Sequence, residues 1–268
     1  MNQLVSTEWL EKNLDRVKIL DASWHLPNID RNALEEYKLD HITNSIFFDI
    51  DKYSNQNTSL PHMLPSAKEW ENIVSNLGIN NSEHVIVYDN SDVFSSCRVW
   101  YAFLYFGHNP DLISVLDGNF KKWKDEKRLI SKKIKKIIRS NYTAKENMEL
   151  VLNKDQINKN IINKEFQLID ARGEKRFLGL QPEPRKELKS GNINGSKNLP
   201  FHELINKKTR TLKEKEELIN IFKDRQIIID QEMAFTCGSG VTACILGLAN
   251  SIISGKKPII YDGSWAEY

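Results

Sequence analysis

The sequence predicts an α/β protein made of two tandem copies of one unit, each a mainly parallel sheet flanked by helices. Three observations carry this. Short apolar, β-branched runs alternate with capped amphipathic helical stretches, the pattern of strands buried on both faces. The second half also repeats the first. Lys18-Ile19-Leu20-Asp21-Ala22-Ser23 corresponds to Gln167-Leu168-Ile169-Asp170-Ala171-Arg172, and His41-Ile42-Thr43-Asn44-Ser45 to Asn192-Ile193-Asn194-Gly195-Ser196. Val115-Leu116-Asp117-Gly118-Asn119-Phe120 matches Ile260-Tyr261-Asp262-Gly263-Ser264-Trp265. Finally, 268 residues leave room for two units, each long enough to bury a core.

In chain order, Ser6 or Thr7 caps a short helix carrying Trp9, Leu10 and Leu14, and the run from Val17 to Asp21 reads as a strand. Ser66 with Glu69 three residues later forms a capping box. Trp70, Ile73, Val74 and Leu77 make one apolar helical face behind it, and Gly78 stops the helix. His84 to Tyr88 reads as a strand, followed by a polar loop and an aromatic helix from Val99 to Phe106, closed by Gly107. The run SKKIKKIIR, 131–139, breaks this rhythm with dense positive charge and reads as a solvated linker, in part a strand. The expected division is an N-terminal unit over 1–130, a linker over 131–150 and a C-terminal unit over 151–268.

Forty per cent hydrophobic and 28% charged residues fit an ordinary globular protein, and a net charge of +2 gives no footprint for nucleic acid. The three cysteines, Cys97, Cys237 and Cys244, contain no CxxC pair, which argues against a disulfide framework or a zinc site and for a reducing compartment. The N-terminus lacks a basic segment followed by an apolar core, and no stretch reaches membrane-spanning length. The expectation is a cytoplasmic protein that engages neither membrane nor nucleic acid and holds no metal.

Chemistry concentrates at Thr236-Cys237-Gly238-Ser239-Gly240-Val241-Thr242-Ala243-Cys244, read as strand, tight loop and helix. Gly238 and Gly240 let the backbone curl with its amides inward, and the helix adds its positive N-terminal end. A cysteine heading such a cradle is expected to ionise readily, and the thiolate is the attacking form, so Cys237 is the candidate nucleophile. The loop reads equally as a buried cysteine before a glycine turn. It lacks the third glycine and the lysine of a nucleotide-binding loop. A cysteine phosphatase with a similar cradle would need an arginine six residues after Cys237, where Ala243 stands. By the repeat register Asp89 occupies the place of Cys237 in the first copy, so that copy has no nucleophile there, and Cys97 is read as structural.

The CGSGVTA loop closely resembles the active-site loop of the 3-mercaptopyruvate sulfurtransferases of the rhodanese superfamily. Relatives specific for thiosulfate carry charged residues in this loop, where the present ones are small and neutral. The resemblance runs along nearly the whole chain, through YDNSDVFSSCRVW, VLDGNFKKW, PEPR and YDGSWAEY. It implies two rhodanese-like domains, the first inactive, and a sulfurtransferase working through a Cys237 persulfide without a cofactor. The family's carboxylate-holding arginines fall on Arg176 and Arg185, its loop amides on Gly238, Gly240, Val241 and Thr242, and its proton relay on Ser239, His62 and Asp51. Asp49 is excluded from the relay, and Arg172 is read as a structural ion-pair partner. The implied donor is 3-mercaptopyruvate or thiosulfate, the acceptor cyanide, a small thiol or a thioredoxin-like protein, and the molecule a monomer. A thiosulfate:cyanide sulfurtransferase and a sulfur-relay module without turnover remain the alternatives. Asn192 and Asn194 stand where many members have His and Pro, and a C-terminal tail that shapes the substrate mouth is expected to be absent or truncated after Tyr268.

Overall fold

The computed structural model describes residues 3–268. Each half builds a five-stranded parallel sheet. In the first, the order is Leu4–Val5, Ile113–Leu116, Val85–Tyr88, Lys18–Asp21, Ser45–Phe47. In the second, read from the equivalent edge, it is Val151–Leu152, Ile260–Tyr261, Met233–Thr236, Gln167–Asp170, Lys197–Asn198. The order is the same, so the sequence repeat is a structural repeat. The register agrees at the critical point: Asp21 pairs with Tyr88 and Asp170 with Thr236, which makes Asp89 and Cys237 the equivalent next residues.

The central strands are short and buried end to end, as parallel strands covered by helices on both faces must be. Ser6 caps the first helix, and Ser66 and Glu69 close their capping box. The aromatic helix starts three residues earlier than expected, spanning Ser96–Tyr105. Its start is fixed by the carboxylate of Asp89, which accepts from the N–H of Ser96 at 3.0 Å, a partner seven residues away that no local capping pattern announces. Two strands are also shorter by one residue than expected, beginning at Lys18 and Val85.

The basic linker is tied to the first domain. Ile130–Ser131 pairs antiparallel with His41–Ile42, and the N–H of Ser140 donates to the carbonyl of Ser75. The helices Ser96–Tyr105 and Ala243–Ser254 pack against each other across the seam, and one continuous apolar core runs through both domains, with Cys97 and Cys244 inside it. No helix among the described residues is long and apolar enough to cross a membrane.

Candidate active site

The loop from Cys237 to Thr242 hangs between the buried strand Met233–Thr236 and the helix Ala243–Ser254. Its carbonyls are tied from behind. Cys237 O accepts from Trp265 N and Gly238 O from Ala266 N, both at 3.0 Å, and Gly240 O accepts from Arg98 Nη1 at 3.4 Å. Its amides are not: among the described residues, the N–H groups of Gly238, Ser239, Gly240, Val241 and Thr242 donate to no protein acceptor. A turn with its carbonyls engaged and five amides free, followed by a helix N-terminus, is a concave anion receptor. Gly240 makes the turn at φ +75°, and a Cβ there would lie 3.0 Å from the Asp262 carbonyl and 3.2 Å from Arg98 Nη1.

Cys237 is only 2% exposed, yet it lines a cavity of about 220 Å³ between the domains. The first domain contributes Trp24 and Val93 to the walls, and the second contributes Arg176, Arg185 and Ser239. Cys97 and Cys244 lie in the core, where burial pushes both thiols up, that of Cys244 to about 12. Desolvation keeps them protonated and inert.

The three relay residues meet across the seam. His62 Nδ1 lies 2.9 Å from Ser239 Oγ and His62 Nε2 lies 3.0 Å from Asp51 Oδ1. Trp24 donates its indole N–H to the other Asp51 oxygen at 2.9 Å and sets its ring edge against the imidazole. Burial pushes the Asp51 carboxyl up, but the hydrogen bond and charge of His62, the indole of Trp24 and the charge of Arg185 outweigh it and hold the carboxyl below its ordinary value. Burial lowers His62, Asp51 opposes that, and the charges of Arg185 and Arg98 reinforce it, so His62 stays below its ordinary value and is neutral at pH 7. With Asp51 ionised, Nε2 carries the proton and Nδ1 is left to accept from the Ser239 hydroxyl. Asp49 is elsewhere, capping the helix Ile50–Tyr53 through the N–H of Lys52.

The two arginines differ in their surroundings. Arg176 is clamped by Glu183, with Nε 3.2 Å from each carboxylate oxygen, and its Nη2 would stand 3.1 Å from a Cβ at Gly238. Buried Glu183 also pairs with Arg172 at 2.8 Å, and Arg172 pairs with Asp170 at 2.7 Å, which is the ion-pair role read for Arg172. Arg185 lines the same cavity, and among the described residues its guanidinium forms no hydrogen bond or ion pair. Burial pulls its guanidinium below the ordinary value, although Asp51, Glu187 and the Cys237 sulfur oppose this.

In the first copy the equivalent receptor is already filled. The carboxylate of Asp89 accepts from the N–H groups of Ser91 at 2.8 Å and Ser96 at 3.0 Å, so the residue in the place of Cys237 supplies its own anion. Four contributors lay outside the sequence reading: Trp24, Glu183, Arg98 and Asp262. Glu183 sits inside the quoted PEPR run and Asp262 inside YDGSW, but nothing in either run shows which distant group it pairs with. No cluster of three or more His, Cys, Asp or Glu among the described residues could hold a metal ion.

Comparison with known proteins places the chain in a family. The model of the rhodanese-like domain matches residues 6–126 and 153–268. The thiosulfate/3-mercaptopyruvate sulfurtransferase 1 of Arabidopsis thaliana, a mitochondrial protein, is 38% identical over 99% of this chain and 75% of its own length. The 3-mercaptopyruvate sulfurtransferase of Mus musculus is 36% identical over 99% of this chain and 91% of its own length. Among solved structures, SseA of Escherichia coli, a 3-mercaptopyruvate sulfotransferase, superposes with a TM-score of 0.89 at 32% identity, covering 99% of both chains. The chain therefore belongs to the rhodanese family, as a protein of two rhodanese-like domains.

Proposed function

We propose that this protein is a sulfurtransferase that moves the sulfur of 3-mercaptopyruvate onto Cys237 and from there to a thiol or to cyanide, releasing pyruvate. The observation that carries the reading is a cysteine on the floor of an interdomain cavity, at the head of a loop with five amides free of protein acceptors.

The Cys237 thiolate attacks the thiol sulfur of the substrate, the S–S bond forms, and the C–S bond breaks with its electron pair passing to carbon. The products of this step are Cys237–S–SH and the enolate of pyruvate. Transfer of the persulfide proton to the enolate carbon leaves Cys237–S–S⁻ and pyruvate, with no external oxidant or reductant. The free amides stabilise the terminal sulfur anion, as an oxyanion hole does for oxygen. Ser239, His62 and Asp51 carry the proton. Neutral His62 accepts from the Ser239 hydroxyl, and ionised Asp51 holds its tautomer. Attack of an acceptor thiolate or cyanide on the terminal sulfur regenerates Cys237.

Arg176 and Arg185 seat the carboxylate. Their surroundings favour a substrate with one negative charge. Asp170 and Glu183 offset two of the three guanidinium charges of Arg172, Arg176 and Arg185, which leaves Arg185 without an ion-pair partner. Thiosulfate carries two charges, and among the described residues no further free cation joins Arg185 on the cavity wall. Thiosulfate is the second reading because the Arabidopsis relative is named for both donors. Turnover with the two donors decides between them: mercaptopyruvate is to be used with the higher kcat/KM, and a preference for thiosulfate overturns the assignment.

The acceptor is a small thiol or a thioredoxin-like protein. All three cysteines are free, which suits a monomer working in a reducing compartment such as the cytoplasm.

A further inference from the structure

Arg98 lies in the aromatic helix of the first domain, 4% exposed, with its side chain turned into the seam. Its Nη2 donates to the main-chain carbonyl of His62 at 2.5 Å and to Asp262 Oδ1 at 2.6 Å, while Nη1 reaches the Gly240 carbonyl at 3.4 Å. Asp262 belongs to the second domain, and its other oxygen accepts from the N–H of Leu64 at 2.9 Å. One guanidinium and one carboxylate therefore grip the segment His62–Leu64 from both ends and touch the turn of the cysteine loop.

His62 needs such a grip. It sits at φ +61°, a left-handed conformation that costs a residue with a side chain free energy and persists only where its surroundings fix it. The grip also reaches the loop: the carbonyl of Gly240 faces Arg98, and among the described residues the N–H of the same residue donates to no protein acceptor.

We propose that Arg98, anchored by Asp262 across the domain seam, is a positioning residue that sets the imidazole of His62 and the amide turn at Gly240 relative to each other, so that persulfide formation depends on it although it touches neither substrate nor sulfur. This rests on the persulfide reading above. A lysine at 98 keeps the positive charge beside Asp262 but has no second arm for the Gly240 carbonyl and no planar fork to fix the His62 carbonyl and Gly240 relative to each other. Displacement of a proton-transfer group by about 1 Å costs on the order of a hundredfold in rate.

The experiment is single-turnover persulfide formation followed by intact mass, with 3-mercaptopyruvate, on wild type, Arg98→Lys, His62→Gln and the double variant. Expected are a tenfold to hundredfold slower sulfur uptake in Arg98→Lys, a half-saturating mercaptopyruvate concentration within about twofold of wild type, and a double variant no slower than His62→Gln alone. That non-additivity is the signature of action through His62, which a general packing defect does not produce. Uptake by Arg98→Lys at the wild-type rate overturns the proposal, as do losses that multiply in the double variant. If Arg98→Lys does not fold, Asp262→Asn carries the same expectations and the same refutation. If wild type itself takes up no sulfur, the persulfide reading fails and the proposal falls with it.

Discussion

Replacing Arg185 by methionine removes the one cavity cation that has no ion-pair partner among the described residues and keeps most of its apolar stem. A charge-assisted hydrogen bond contributes about 1.5–3 kcal/mol when its loss leaves the partner uncompensated. Because 1.4 kcal/mol is a factor of ten, the loss of carboxylate seating is worth roughly 10- to 150-fold in kcat/KM. It falls mainly on KM, since the carboxylate keeps its charge from ground state to transition state and its binding is nearly uniform. The assay is pyruvate release against mercaptopyruvate concentration, with thermal unfolding as the control for folding. An unchanged KM would remove Arg185 from the seat, and a fall in kcat with KM constant would mean that it acts on the reacting centre instead.

Arg176 behaves differently because it already holds Glu183. Arg176→Met exposes that carboxylate to the substrate, so the double variant Arg176→Met/Glu183→Gln is predicted to have a lower KM than Arg176→Met alone, and equal values would count against the clamp. The rate of persulfide formation is predicted to fall on an acidic limb below the ordinary histidine pKa of 6.5, because burial, with Arg185 and Arg98, holds His62 down. Arg185→Met removes one opposing charge, so it moves that limb up; a limb that stays put removes His62 from the relay. The same depression makes stability fall as pH drops from 6.5 toward the folded value, since the unfolded chain takes up the proton first. Gly240→Ala forces a side chain into φ +75° and against the Asp262 carbonyl, which costs at least about 1–2 kcal/mol and a matching drop in Tm; a Tm equal to wild type contradicts the turn geometry. An alkylating reagent at pH 8 is predicted to label Cys237 well before Cys97 and Cys244, whose thiols burial keeps protonated, and peptide mapping reads the order.

What the sequence made legible was whatever is written locally or repeated. The apolar runs, the Ser66–Glu69 box and the paired segments at 18–23 and 167–172 depend on neighbours a few residues apart. The cysteine loop carried its own signal in two glycines between a strand and a helix. The relay came through family resemblance alone, since His62 and Ser239 lie 177 positions apart and no spacing rule joins them. The Arg98–Asp262 pair has a separation of 164 and follows no periodicity, so no local pattern joins an arginine on an aromatic helix to an aspartate in a tight turn. The start of the aromatic helix was missed for a related reason. Its cap is the carboxylate of Asp89, placed there because the first copy fills its anion receptor with a side chain where the second copy carries a sulfur.

The most direct test of the central claim is the intact mass of the protein after incubation with 3-mercaptopyruvate, for wild type and Cys237→Ser. The account predicts one added sulfur atom on wild type, removed by cyanide or a thiol, and none on the variant. Wild type that gains no sulfur, or a Cys237→Ser protein that gains as much, would contradict it.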